Sequence, residues 1–383
     1  MNIKSAKRLL WYFTYRITIF FLYVANWFLA WRCKDNFYKN SVLHISGMVH
    51  IPYYTVQILR KYGIKADYLS MEAPNQTWSK SDFQFRSSRW PQVQAIREFI
   101  FFWRVVAKYE IIHSHNMVFL SQSGWEDRWL KRLGRKIVIN YRGCDIRERR
   151  INMQLQPEYD ICEECDYDVI CEKEYLGSKR FRAEKIGDAF LVTTPDLLDF
   201  APEAICLPFF APENHTRMSN EKQHPGEEIK ILHVTNHPGI EGTEQIERVI
   251  RRLREMGYGV NLVVLKGVSH ERVLKELSTA DLSIGKMKMG YYANFQIESM
   301  LMGVPAITYV RLEYMGDDLR QSGFIFTDLR NLEKTLRHYL DNPKELEQKR
   351  KIAKDSVLKL HDNGKIAKQL ISIYDQIKSE RPQ

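Results

Sequence analysis

This chain predicts an α/β protein made of two Rossmann-like domains facing a central cleft, with an N-terminal hydrophobic helix in front of them. Three observations carry the prediction. At 383 residues the chain exceeds the ~250–300 residues at which a single hydrophobic core stops growing. Short apolar segments alternate with segments of helical period, and the alternation runs twice, once on each side of a polar stretch. Residues 9–31 are nearly uncharged.

The composition sets the outer limits. Hydrophobic residues make up 44% and charged residues 27%, close to the globular average, which excludes a collagen, a coiled coil or a mainly disordered chain. Residues 1–150 carry 25 Lys and Arg against 10 Asp and Glu, whereas residues 151–383 carry 32 against 37. A basic N-terminal half is expected to meet something anionic, and both nucleic acid and an acidic lipid surface fit. The segment Leu9 to Trp31, LLWYFTYRITIFFLYVANWFLAW, contains Arg16 as its one charge. A helix of that length spans ~30 Å of hydrocarbon, and no small-residue cleavage site follows it. Its load of Trp and Tyr suits the interfacial zone at least as well as the bilayer centre. It reads as a retained anchor, spanning or lying flat, with a helix buried on the protein body as the alternative. Lipid is therefore preferred to nucleic acid. Six cysteines, Cys33, Cys144, Cys162, Cys165, Cys171 and Cys206, are too few for a secreted disulfide scaffold and point to the cytoplasm.

The elements follow in order. Ser41 to Met48 is a short apolar strand, His50 to Tyr62 has helical spacing that stops at Gly63, and residues 64–71 form a second strand. The same grammar gives a helix over Gln92 to Lys108, a strand over Tyr109 to His113, a helix over Asp127 to Leu133 and a strand over Lys136 to Tyr141. Such alternation implies a parallel sheet covered by helices. Ala211 to Glu228 is polar and interrupts the pattern, which then restarts. Strands are expected at Ile229 to Val234, Gly259 to Leu265, Leu282 to Ile284 and Ala306 to Tyr309, with helices at Glu244 to Glu255, His270 to Leu277 and Asn294 to Met302. Two or three helices over Asn331 to Lys378 close the chain. The expected division is a helix at 1–38, a first domain at 39–212, a linker at 213–228, a second domain at 229–362 and a C-terminal helix at 363–383 that crosses back to the first domain.

In open α/β sheets ligands bind beyond the carboxyl ends of the strands. The suspects are therefore Gly47, the pair His113 and His115, the run Tyr141 to Asp145, the run Thr235 to Thr243, Lys266 with Gly267, and the run Gly285 to Tyr292. Gly290 to Ala293 opens a helix whose N–H groups can receive phosphate, and Glu298 lies further along it. This stretch, GYYANFQIESMLMGVPAITYV, resembles the C-terminal domain of retaining nucleotide-sugar glycosyltransferases of the GT-B fold, in particular glycosyltransferase family 4. The likeness extends through ILHVTNHPGIEGTEQIERVIRRL, LVVLKGVSHERVL and ADLSIG, and more weakly through IIHSHN, RLGRKIVINYRGCDIR and HDNGKIAKQLISIYDQI.

The resemblance implies that Glu298 is the second glutamate of an E-x7-E motif and binds the donor ribose. Together with the positions of the strand ends, it places the donor on Gly47, Asn236, Gly242, Thr243, Lys266, Lys286, Gly290, Tyr291, Tyr292, Ala293 and Glu298, with His113, His115 and Asp145 as candidate catalytic residues. The sequence also departs from the family. Gly290 stands where the first glutamate belongs, and Asn236 and Glu241 stand near the positions of the family's basic pair. Like charges at ~4 Å cost about 4 kcal/mol at an effective dielectric of 20, so Glu241 is a poor neighbour for a diphosphate. Lys266, Lys286 and Lys288 are the candidates to compensate.

Cys162, Cys165 and Cys171 form C-x2-C-x5-C, whose first spacing suits a structural zinc, with Cys144 or Cys206 as the fourth ligand; unpaired thiols are the alternative. No cofactor is expected for the chemistry itself. No H-E-x-x-H, P-loop, G-x-S-x-G or dinucleotide G-x-G-x-x-G occurs. The function expected is transfer of a sugar from a nucleotide-sugar to a hydroxyl of a lipid-linked or polysaccharide acceptor, with retention, at the cytoplasmic face of a membrane and without nucleic acid. Two alternatives stay open: a catalytically degenerate GT-B partner protein, and a sugar-nucleotide epimerase.

Overall fold

A computed structural model describes residues 3–47, 51–71, 81–155, 161–165, 173–212 and 228–380. The chain divides into two compact units. The first comprises Met1–Tyr141, Gly177–Leu191 and Ala367–Gln383, and the second Arg142–Leu176 and Val192–Ile366. Periodicity assigned all of residues 39–212 to the first domain, yet 142–176 and 192–212 group with the second. Alternation of strands and helices counts elements; it does not say which neighbours a connecting segment packs against. Residues 367–383 join the first unit. Of the expected linker 213–228, all but Glu228 lies outside the described residues.

The chain opens with α1 (Ile3–Cys33), followed by β1 (Tyr38–Ser46), α2 (Ile51–Lys61), β2 (Lys65–Ser70), β3 (Phe83–Gln84), α3 (Pro91–Arg104), β4 (Tyr109–His115), α4 (Trp125–Arg132) and β5 (Lys136–Tyr141). After α5 (Arg149–Leu155) come α6 (Lys173–Ile186), β6 (Ala189–Val192) and β7 (Ile205–Cys206). In the first unit the strands lie in the order β3-β2-β1-β4-β5-β6. The β1–β2, β1–β4, β2–β3 and β4–β5 pairs are parallel. Val42, Leu43 and Ile45 of β1 and Ile111 and Ile112 of β4 are buried, as continuous apolar strands covered on both faces must be. The strand order reverses between β1 and β4.

One side of α1 packs on this unit. Asn26 and Ala30 are buried, and Trp103 Nε1–H donates to Asn26 Oδ1 at 2.7 Å. Trp27 meets Trp129 edge-on at 5.7 Å, and the Arg132 guanidinium lies 3.7 Å over the Trp27 ring. The other side exposes Ile17, Phe20, Phe21, Val24, Phe28 and Trp31. Among the described residues no helix is long and apolar enough to cross a membrane. The spanning form of the anchor therefore finds no support: Arg16 and the polar atoms of Trp and Tyr lower the apolar content of α1.

The second unit continues with β8 (Ile229–Val234), α7 (Pro238–Glu241), α8 (Thr243–Glu255), β9 (Val260–Leu265), α9 (His270–Thr279), β10 (Leu282–Ile284), α10 (Asn294–Leu301), β11 (Ala306–Thr308), α11 (Asp317–Arg320), β12 (Ile325–Phe326), α12 (Leu332–Asp341) and α13 (Pro343–Leu360). The last helix, α14 (Asn363–Ser379), starts in this unit and ends in the first. Five strands in the order β12-β11-β10-β8-β9 form an all-parallel sheet. Ile246, Ile250 and Leu253 of α8 recur at helical spacing and pack with Ile231, Leu282, Ile284 and Ile307. On the opposite face Val273 and Leu277 of α9 pack with Leu232, Met302 and Val304. The strand order reverses between β8 and β10, so the loops leaving those two strands diverge and open a crevice at their carboxyl ends.

Candidate functional site

The loops after β8 and β10 are tied together. Met287 N–H donates to Glu241 O at 3.2 Å, and Lys288 Nζ donates to Gly239 O at 3.1 Å. A Cβ on Gly285 would lie 2.0 Å from Gln296 Nε2, so glycine here leaves room for the Gln296 side chain at the tip of β10. Gln296 in turn accepts from Ala293 N–H at 3.2 Å and closes the start of α10. Gly290 has φ +81°, and its carbonyl accepts from Arg311 N–H at 3.0 Å.

Glu298 sits on α10 with its carboxylate nearly buried. Both its oxygens lie 3.0 Å from Nε2 of His270, the first residue of α9. Burial alone would lower the pKa of His270, but the hydrogen bond and charge of Glu298 outweigh it and raise the pKa above its ordinary value. His270 was not among the residues singled out from sequence. Its position just past β9, beside Lys266 and Gly267, was the available signal.

The lysines and acids pair in a way that spacing did not show. Glu241, which read as a poor neighbour for a diphosphate, lies 3.6 Å from Lys286 Nζ. Buried Lys288 lies 2.5 Å from Glu164 Oε2, and this hydrogen bond holds the Glu164 carboxyl below its ordinary pKa. Lys266 and Asn236 are exposed. Several other candidates serve the interior. Burial lowers the pKa of His233; its Nδ1–H donates to Ile284 O at 2.8 Å, and its Nε2 lies 2.9 Å from the Thr243 hydroxyl. Tyr292 is buried, its hydroxyl 3.1 Å from Nε2 of His361, and burial lowers that imidazole to a pKa of about 4. Tyr291 stacks on Tyr292 at 4.4 Å. Gly242 has φ +84° and joins α7 to α8. The structure thus gathers Asn236, Gly242, Lys286, Gly290 and Ala293 at the ends of β8 and β10, with Lys266 after β9 and Glu298 on α10. Thr243 and Tyr292 face the core.

Asp145 caps its own turn. Its carboxylate accepts from Arg142 N–H at 3.0 Å and Gly143 N–H at 2.6 Å, and burial raises its pKa. In the first unit Gly47 follows β1 as expected. His113 and His115, expected at the cleft-facing end of a strand, are both 0% exposed. Parallel pairing of β4 between β1 and β5 and a cover from α14 enclose them, so their rings touch one another and Tyr374 instead of solvent. Cys162 and Cys165 pack on Ile161, Ile240 and Met289; Cys171, the third member of that cluster, lies outside the described residues.

No protein-family model matches the sequence, and no curated protein matches it. Solved structures do match. Sucrose-phosphate synthase (tll1590) from Thermosynechococcus elongatus aligns with a TM-score of 0.58 at 15% identity, over 88% of this chain and 99% of that one. The catalytic domain of starch synthase IV from Arabidopsis thaliana, bound to ADP and acarbose, gives 0.59 at 11% identity over 89% and 99%. Anabaena Alr3699/HepE in complex with UDP-glucose gives 0.55 at 10% identity over 89% and 100%. The fold is that of the GT-B glycosyltransferases. At these identities the likeness is one of fold alone, and the GT-B chain described here carries its own set of side chains at the ends of β8 and β10.

Proposed function

We propose that this GT-B chain transfers a sugar from a nucleotide-sugar donor to a hydroxyl acceptor, and that the donor nucleotide binds the second unit at the ends of β8 and β10. The observation that carries the reading is Glu298, a carboxylate on α10 held by His270 beside the glycine-bearing loop 285–293. A carboxylate there accepts hydrogen bonds from the two ribose hydroxyls. The start of α10 and the exposed Lys266 supply positive potential for the diphosphate, and Lys286 joins them by turning from Glu241. Catalysis is then chiefly positioning and charge stabilisation of the departing diphosphate. Retention of configuration and membership of glycosyltransferase family 4 rest on the sequence resemblance. Gly290 offers no carboxylate to the donor sugar, so sugar choice falls to other groups.

The proposed acceptor is lipid-linked or polysaccharide, presented at the cytoplasmic face of a membrane on which α1 lies flat. The stripe Ile17, Phe20, Phe21, Val24, Phe28 and Trp31 supports this, because it recurs at helical spacing on the side of α1 turned away from the unit. Exposed Arg16, Arg32 and Lys34 on and after the helix complement anionic headgroups.

The test is calorimetric binding of UDP, GDP, ADP and CMP sugars, followed by transfer assays with whichever binds. One of them is expected to bind, and binding should weaken in Lys266→Ala. Absence of binding across the panel would favour the alternative suggested by Gly290 and Glu241, a GT-B protein that has lost donor binding and acts as a partner.

A further inference from the structure

The first unit holds a constellation that the proposed transfer does not use. His44 of β1 and His113 of β4 are register partners, and His115 lies two residues beyond His113. Parallel pairing therefore puts all three imidazoles on one face of the sheet, where its strand order reverses. Each is 0% exposed. One nitrogen from each ring lies within 4.8 Å of the others, and His44 Nδ1 is 2.9 Å from His115 Nε2. The ring centroids form a compact triangle with sides of 4.4, 4.5 and 5.2 Å. Nδ1 of His113 is 2.6 Å from the hydroxyl of Tyr374 on α14.

We propose that His44, His113 and His115 together bind one borderline transition-metal cation, zinc in the first instance, inside the first unit. Neutral imidazole is a strong ligand for such ions, and three histidines with a fourth position left to water or hydroxide form a recurring zinc set. Zinc–nitrogen bonds of about 2.0–2.1 Å put tetrahedral ligand nitrogens about 3.3–3.5 Å apart. The His44–His115 pair thus opens by roughly half an ångström from its 2.9 Å. The rings lie within 9° to 28° of parallel, so binding turns them until their lone pairs converge, and the ion replaces the hydrogen bond between His44 and His115. The Tyr374 oxygen fixes Nδ1 of His113, which assigns Nε2 of that ring to the metal. A hydroxyl on the outer nitrogen is the kind of second contact that orients a ligating imidazole. The ion would cross-link β1 to β4, and through Tyr374 it would fasten the end of α14 to the sheet.

The experiment uses the full chain, made without a polyhistidine tag in zinc-supplemented medium, with bound metal measured by elemental mass spectrometry. About one zinc per chain is expected, falling below about 0.2 in His44→Asn and in His115→Asn and retained in Cys162→Ser/Cys165→Ser. Cobalt added to the metal-stripped wild-type chain should give the visible bands of a tetrahedral nitrogen site without thiolate charge transfer in the near ultraviolet. That readout needs no variant to fold. Less than about 0.2 zinc in the wild type together with no cobalt spectrum, metal retained by a folded histidine variant, or a thiolate charge-transfer band would each overturn the proposal.

Discussion

Replacing Glu298 by glutamine removes one negative charge and keeps the shape of the side chain, so it probes both what holds the carboxylate and what the carboxylate would hold. Its oxygens each lie 3.0 Å from His270 Nε2, and the two side chains are 10% and 22% exposed. A hydrogen bond to a charged group nets about 1.5–3 kcal/mol and a neutral one about 0.5–1.5. The amide keeps the neutral bond, so Glu298→Gln should cost about 1–2 kcal/mol. For a unit of this size that is a fall in Tm of about 2–8 °C. The cost depends on pH in a definite direction. Folding raises the His270 pKa above its ordinary 6.5, so the ion pair's contribution is fully present below pH 6.5 and is lost as pH climbs through the raised folded value. Thermal unfolding of wild type and variant from pH 5.5 to 9, without nucleotide, should therefore show a gap that is widest in acid and narrows in base. In calorimetry the variant should bind the donor nucleotide about 5–30-fold more weakly, because the bonds to ribose change from charged to neutral. A Tm gap that stays constant across pH would refute the ion-pair argument. Undiminished donor affinity would refute the ribose assignment.

Other outcomes follow from the same structure. Arg147 and Asp196 form a buried pair at 2.5 Å, so Asp196→Ala, which strands a buried guanidinium, should cost about 3–5 kcal/mol in denaturant unfolding. Gly285→Ala drives a methyl into the Gln296 side chain and should lose about 1–3 kcal/mol; adding Gln296→Ala should restore part of it, and no restoration would mean that the strain lies elsewhere. Phe20, Phe21 and Phe28 are exposed, and each removes about 1.5–3 kcal/mol when withdrawn from a lipid interface. The triple serine variant should therefore stop sedimenting with anionic vesicles, and equal sedimentation would remove the membrane from the scheme.

Between Ile229 and Thr308 the main strands and helices were legible in the sequence almost residue by residue, whereas the short β7, α7, α11 and β12 were not. Ile229–Val234, Leu282–Ile284 and the helix opening at Asn294 fall where their periodicity placed them. Those elements are buried on predictable faces, so composition alone records their environment. The second half of the first domain was not legible: α6 and β6 went unread, because the four residues AFLV are short for a strand and the charges of KEYLGSKRFRAEKI follow no amphipathic stripe. Among the proposed site residues, Glu298 was named from the motif around it, whereas His270 and His44 were not singled out. Each lies in a legible element but far along the chain from its partner, His270 28 residues before Glu298 and His44 69 residues before His113.

What the sequence determined unaided was the alternation of elements, the position of Glu298 after a glycine-bearing loop, and the aromatic character of α1, since all three depend on neighbours within a few turns of the chain. The tertiary structure decided which charges meet. Lys286 faces Glu241, Lys288 faces Glu164, His270 faces Glu298, and three histidines from two strands share one buried face. Parallel pairing of strands distant in sequence sets those distances, and a side chain's protonation and ligand chemistry depend on distances of a few ångströms that linear order does not encode.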